Sequence, residues 1–145
     1  MLLDPLLRDM VDPTQHAMFD WMHCWFVGGI FNVHMGRFMH TMTKKGVLTY
    51  AKLDAYIKLW HWLGHVGTMT GKDACGTRRA KSSWDAGIFK CTVSEGRSLL
   101  PIIANYVQQV LMKSPDQDVR KHAECFLKLA HVVELLEIRG PSWST

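Results

Sequence analysis

Apolar residues recur at helical spacing in several separate stretches of this chain. From Trp25 to about Met42, Val27, Phe31, Met35, Phe38 and Met42 follow one another at four, four, three and four residues, which is one face of a helix. Another face of the same segment carries Gly29, Asn32, Gly36 and His40. Small residues in such a row let another backbone approach closely, at some cost in helix propensity. Lys44-Lys45-Gly46 ends the segment, with cations at the negative helix end and glycine just beyond. A second helix is expected from about Thr49 to Gly64. Leu53, Tyr56, Ile57, Trp60 and Leu63 form its inward stripe, and Asp54, Lys58, His61 and His65 its outer row.

Residues 66–91 lose this periodicity and fill with Gly, Thr, Ser, Lys and Arg, which reads as a long basic loop. Thr92 and Glu95 make a capping box that opens a third helix. Its inward face is Leu99, Ile103, Tyr106 and Val110. Pro101 predicts a kink there, or a restart with Ser98 as cap. Ser114-Pro115-Asp116-Gln117 starts the last helix, with serine as cap and proline at the first position. Val119, Ala123, Phe126, Ala130 and Val133 point inward along it, and Gly140-Pro141 stops it.

The pattern therefore predicts a mainly α chain, four to five helices in an irregular bundle with a long basic loop. As one helical domain over 1–145 it divides into an N-terminal segment 1–24, two helices over 25–65, the loop over 66–91, and two helices over 92–140. "QHAMFDWMHC" fits either a short N-terminal strand or the first turns of a helix. A chain of 145 residues with 48% hydrophobic content can bury a single core. Its 21% of charged residues argues against wholesale disorder.

Charge changes the picture locally. The net charge is +4, and the stretch from Lys72 to Lys90 sets five cations (Lys72, Arg78, Arg79, Lys81 and Lys90) against only Asp73 and Asp85. These five residues could grip phosphates, with Trp84 available for base stacking. A solvated basic loop is the plainer alternative. The four cysteines are scattered without a CxxC pair, and "MLLDPLLRDM" places Asp4 and Arg8 where the apolar core of a leader belongs. Both features fit reduced thiols in an intracellular protein. The most apolar window, Ala17 to Met35, is broken by Asp20, His23, Asn32 and His34, so no membrane span is expected.

Several chemistries are excluded by motif. There is no G-x-S-x-G elbow, "GKDACG" lacks the P-loop spacing, and the residues between His61 and His65 are Trp62, Leu63 and Gly64 where a metalloprotease needs a glutamate. His61 and His65 would supply two zinc ligands on one helical face, but Asp54 is two turns away and the row reads more simply as a solvated surface. Asp20 sits in the middle of "AMFDWMHCW", where a carboxylate is costly to bury. If this stretch is helical, Asp20, His23 and His16 put an acid and two imidazoles on one side, a candidate metal or catalytic group at Asp20 and His23. One Asp is too few for two-metal phosphoryl chemistry, and a locally satisfied carboxylate explains the same residues.

"FDWMHCWFVGGIFNVHMGRFM" resembles the D-x-M-H segment of transposases of the Kyakuja-Dileera-Zisupton type. "FKCTVSEGRSLLPIIANYVQQVL", followed by "AECFLKLAHVVELLE", resembles the helical stretch downstream of that segment. Together they cover about residues 12 to 138. The resemblance implies a cut-and-paste DNA transposase with an RNase H-like core, which binds two Mg²⁺ through a triad of acids and cuts DNA by in-line displacement at phosphorus. Asp20 matches the acid of D-x-M-H, with Met22 and His23 completing the motif, and a nuclear location follows from the same family. Only 19 residues precede Asp20, and a last acid could be sought at Glu134 or Glu137 without the sequence assigning it to either. Mg²⁺ would bind only if missing segments completed the triad, so a catalytically incomplete, DNA-associated fragment is expected. The alternative is a small helical subunit or interaction module within a larger protein assembly. Its interface would be the smooth Gly29, Asn32 and Gly36 face.

Overall fold

The computed structural model describes residues 21–60 and 73–138. In chain order these form α1 (Trp21–Phe26), α2 (Ile30–Lys44), α3 (Tyr50–Lys58), α4 (Thr77–Ala86), α5 (Val93–Gln109), a 3-10 turn (Leu111–Lys113) and α6 (Gln117–Ile138). The protein is mainly α-helical, with no strand among the described residues. Asp20, His16, Lys72, His61 and His65, and the segment read as a short strand up to residue 20, lie outside the described residues.

Helix α5 is the hub. It packs against α1, α3, α6 and the 3-10 turn, while α2 packs against α1, α4 and α6. The shared core is aromatic and sulfur-rich. Phe26, Phe31, Phe89 and Phe126 are fully buried together with Met35, Met39, Met42, Leu99 and Ile103. Met fills the irregular spaces that crossing helices leave between such rings.

The expected α2 stripe is seen at Phe31, Met35, Phe38 and Met42, but Val27 is half exposed. The reason is local. Gly28 has φ +64, and a Cβ on Gly29 would run into the carbonyl of Cys24, so the glycine pair breaks the helix and turns Val27 outward. At the other end Lys45 and Gly46 (φ +68) terminate α2 as the sequence predicts. Helix α3 ends at Lys58, sooner than expected, and leaves Trp60 exposed and Leu63 outside the described residues.

The capping box at the start of α5 is present. Thr92 Oγ1 accepts from the Glu95 N–H at 3.3 Å, and Glu95 Oε2 accepts from the Thr92 N–H at 2.8 Å. Helix α5 continues through Pro101 without a restart at Ser98. Pro101 is exposed on this helix. Val110 caps this helix and is exposed, contrary to the inward role its spacing suggests. The cap of α6 is likewise displaced. Asp116 Oδ1, and not Ser114, accepts from the N–H groups of Asp118 (2.8 Å) and Val119 (3.4 Å). A carboxylate there also faces Lys45 at the end of α2, 3.2 Å from Asp116 and 2.8 Å from Asp118, which ties two opposite helix ends together.

The largest departure is in the basic segment. Thr77–Ala86 is a helix where sequence periodicity predicts loop. Its residues, TRRAKSSWDA, offer almost no apolar stripe, and polar ties from other elements hold it in place.

Gly36 shows how closely α2 and the end of α4 approach. A Cβ there would stand 2.7 Å from both the Gly87 carbonyl oxygen and Ile88 Cα, backbone atoms that cannot step aside like a side chain. At Gly36 the small-residue face is therefore filled by the chain's own backbone. Gly36→Val should destabilise the protein by about 1–3 kcal/mol. Urea unfolding followed by circular dichroism measures this, and a midpoint equal to that of the parent would contradict the close approach.

Candidate functional site

Helix α4 begins at Gly76 and ends at Gly87, whose φ of +67 is a left-handed cap closed by its N–H on the Trp84 carbonyl at 3.1 Å. From there residues 87–91 run across α2. Asn32 holds them, its Nδ2 donating to the Phe89 carbonyl at 2.8 Å while the Phe89 N–H returns to the Asn32 carbonyl at 2.8 Å. The same Nδ2 lies 3.4 Å from Cys91 Sγ. Asn32 is thus a structural clasp inside the chain through its Nδ2 and backbone, while its Oδ1 is buried without a hydrogen-bond partner. Gly29 serves the α1–α2 turn.

The five basic residues divide into roles. Arg79 forks onto Glu95, with Nη1 to Oε1 at 2.6 Å and Nη2 to Oε2 at 2.8 Å, and Nη2 also reaches the Lys90 carbonyl at 3.2 Å. This pair joins α4 to the first turn of α5 and is partly buried, so Arg79 is a structural cation and is removed from the phosphate-binding set. The guanidinium, with the Thr92 donors, holds the Glu95 carboxyl down at about 2 against its own burial. Lys90 Nζ donates to Ser82 Oγ at 2.9 Å, and its N–H donates to the buried Ser83 Oγ at 3.0 Å. Arg78 and Lys81 remain exposed on the outer side of α4. Lys72 lies outside the described residues.

Next to that outer side is an aromatic pair. Trp84 of α4 is 40% exposed and stacks on His40 of α2, with ring centroids 4.5 Å apart and tilted by 36°. Arg37, one turn before His40, is exposed beside it. Arg37, His40, Tyr50, Trp84, Asp85 and His122 share one cleft of about 610 Å³. Sequence reading names Trp84 but misses Arg37, Asp85, Tyr50 and His122 as neighbours of it. The one sequence signal is the spacing of Arg37, His40 and Thr41, which shares a helical face; what faces that side depends on where α4 lies.

The catalytic candidates separate as well. Asp20 is outside the described residues, and His23 is exposed on α1. Glu134 is exposed on α6 and lies 3.5 Å from His131. Among the described residues no three His, Cys, Asp or Glu side chains converge as a metal-binding group. The four cysteines are free, and burial pushes the Cys75 and Cys91 thiols up to about 12, so both are protonated at neutral pH and poor nucleophiles. No helix among the described residues is long and apolar enough to cross a membrane. The chain matches no family model, no curated protein and no solved structure.

His34 carries an unusual burden. Its ring lies 5.8 Å from that of Phe126, and its Nε2 is buried without a hydrogen-bond partner. Burial, and then the nearby His122, lower its pKa from 6.5. The unfolded chain therefore takes up this proton more readily than the folded one. Stability should fall as pH drops below about 6.5 towards the lowered folded value. Denaturation midpoints at pH 7.5 and 5.5 should reveal the loss, and His34→Leu should diminish it.

Arg79 and Arg78 offer the converse comparison. With Glu95 largely buried and Arg79 about a third exposed, Arg79→Met should cost about 1–3 kcal/mol, less than a fully buried pair would. Arg78→Met should stay within about 0.5 kcal/mol. The Glu95 contribution is present above its ordinary value of 4.5 and lost as pH falls towards 2. Urea midpoints between pH 5 and 3 should therefore fall less steeply in Arg79→Met than in the parent.

Proposed function

We propose that this chain is a transposase-derived helical domain that associates with DNA through the outer side of α4 and carries no complete catalytic centre of its own. The observation that supports the DNA part most directly is the placement of exposed Arg78 and Lys81 on the helix that also presents Trp84. Two cations on one helical turn neutralise phosphates and release their counterions, and an exposed indole beside them offers a stacking face. Arg37 extends the positive surface onto α2. The transposase origin rests on the D-x-M-H residues Asp20, Met22 and His23 and on the Ser-Glu and Cys-Phe-Leu stretches downstream. Asp20 is a single acid, and Mg²⁺ enters the reading only if further acids come from another segment or chain. A nuclear location belongs to the same proposal.

The alternative of a packing module for a protein assembly is weakened at the residues that suggested it. Asn32 and Gly36 are spent on the segment 87–91 of this same chain.

The double variant Arg78→Glu/Lys81→Glu tests the reading. It should remain folded, lower DNA affinity at least about tenfold and flatten the dependence of log affinity on log salt by about 1.5. Fluorescence anisotropy with labelled oligonucleotides across 50–200 mM salt reads both quantities. Binding unchanged in the variant, or absent in the parent, would dispose of it.

A further inference from the structure

The cleft between α2 and α4 has the dimensions and chemistry of a small-ligand site. Its volume of about 610 Å³ falls in the range of pockets that hold one planar ligand with its polar substituents. Trp84 forms one aromatic wall, already stacked against His40 and still 40% exposed. Arg37 supplies an exposed guanidinium, and Asp85, next to Trp84 in the last turn of α4, a carboxylate. Tyr50, which burial keeps in its neutral hydroxyl form, and the His122 imidazole complete the polar lining. Gly87 lines the same cleft with open space where a side chain would stand. Trp84 in the cleft lies on the same helix as the cations Arg78 and Lys81, one turn after Lys81.

We infer that this cleft receives one unpaired base of a DNA strand, guanine before the others, stacked on Trp84 with its phosphate on Arg37 and its Watson–Crick edge on Asp85. The inference rests on the DNA reading given above and narrows it to strands with an unstacked base. A base in a duplex is stacked on both faces and cannot present one to Trp84 without leaving the helix. The base order follows from hydrogen bonding. Guanine offers an N1–H and an N2 amino group side by side, both of which a carboxylate can accept. Adenine and cytosine offer an amino group flanked by a ring acceptor. Thymine offers one imino N–H between two carbonyls that repel the carboxylate.

The experiment uses the full chain with dGMP, dTMP, a 20-nucleotide thymine strand with and without one central guanine, and a hairpin duplex containing that guanine strand. The guanine strand should bind more tightly than the thymine strand, and both more tightly than the duplex. Trp84→Ala should weaken single-strand binding about tenfold while leaving duplex binding within about twofold. Trp84→Phe, which keeps a stacking face, should restore most of it, and circular dichroism should show both variants folded. Asp85→Asn should erase the preference for guanine over thymine and leave the effect of Trp84 intact. In the parent, dGMP should shift the imidazole NMR signals of His40 and His122 more than dTMP does. Equal binding of strand and duplex, unaffected by Trp84→Ala, would overturn the inference and leave the DNA reading standing. Binding of no strand at all would overturn both. If dGMP alone bound, both would fall in favour of a free-nucleotide pocket.

Discussion

The pairing of Asn32 with Phe89 is the constraint on which the arrangement of this protein depends. A buried amide in the first turn of α2 donates to a carbonyl 57 positions later, and the backbone of Asn32 accepts from the same residue in return. Each bond contributes only about 1 kcal/mol net, but leaving such a group unpaired in a core costs more than that. The pairing thus fixes one register in preference to others. Gly36 one turn later removes the side chain that would hold the two backbones apart. Pinned in this way, residues 87–91 hold α4 against α2 and lead into α5, whose first turn Arg79 grips.

The helix so delivered has little hydrophobic reason to exist. Its stability comes from outside, through the fork of Arg79 on Glu95 and the contacts of Ser82 and Ser83 with Lys90. Glu95 serves twice, closing the capping box of its own helix and anchoring Arg79 of the preceding one. That economy sorts the basic stretch into cations that hold the fold and cations left facing water. Arg79 belongs to the first group and Arg78 and Lys81 to the second. Electrostatic attraction for a polyanion can draw only on the second, because a guanidinium already forked onto a carboxylate has little left to offer a phosphate.

Much of the bundle could be read from residues. The stripe Phe31–Met35–Phe38–Met42, the Lys45-Gly46 stop, the Thr92–Glu95 box and the Val119–Ala123–Phe126–Val133 face all lie where periodicity and capping chemistry place them. The exceptions share one cause. Val27, Val110 and Trp60 sit at helix ends, where a break of one or two residues rotates a side chain from core to solvent. Ser114 and Asp116 compete for one cap, and the presence of Lys45 across the gap favours the carboxylate. The α4 helix was not legible because its stabilising partners, Glu95 and Lys90, are distant in sequence and polar. A periodicity argument counts apolar residues and passes over them.

The sequence by itself determined the helical class, the core stripes and the location of the basic excess, since each follows from local spacing and composition. Tertiary structure alone decided which of the basic residues are free and what the small face of α2 receives. It also decided that Trp84 meets His40 over a cleft with Arg37 and Asp85. Those outcomes depend on contacts between residues from 8 to 57 positions apart, and no local pattern encodes which exposed face will meet which. The glycine at position 36, read in the sequence as room for some other backbone, is room for the backbone of Gly87 and Ile88.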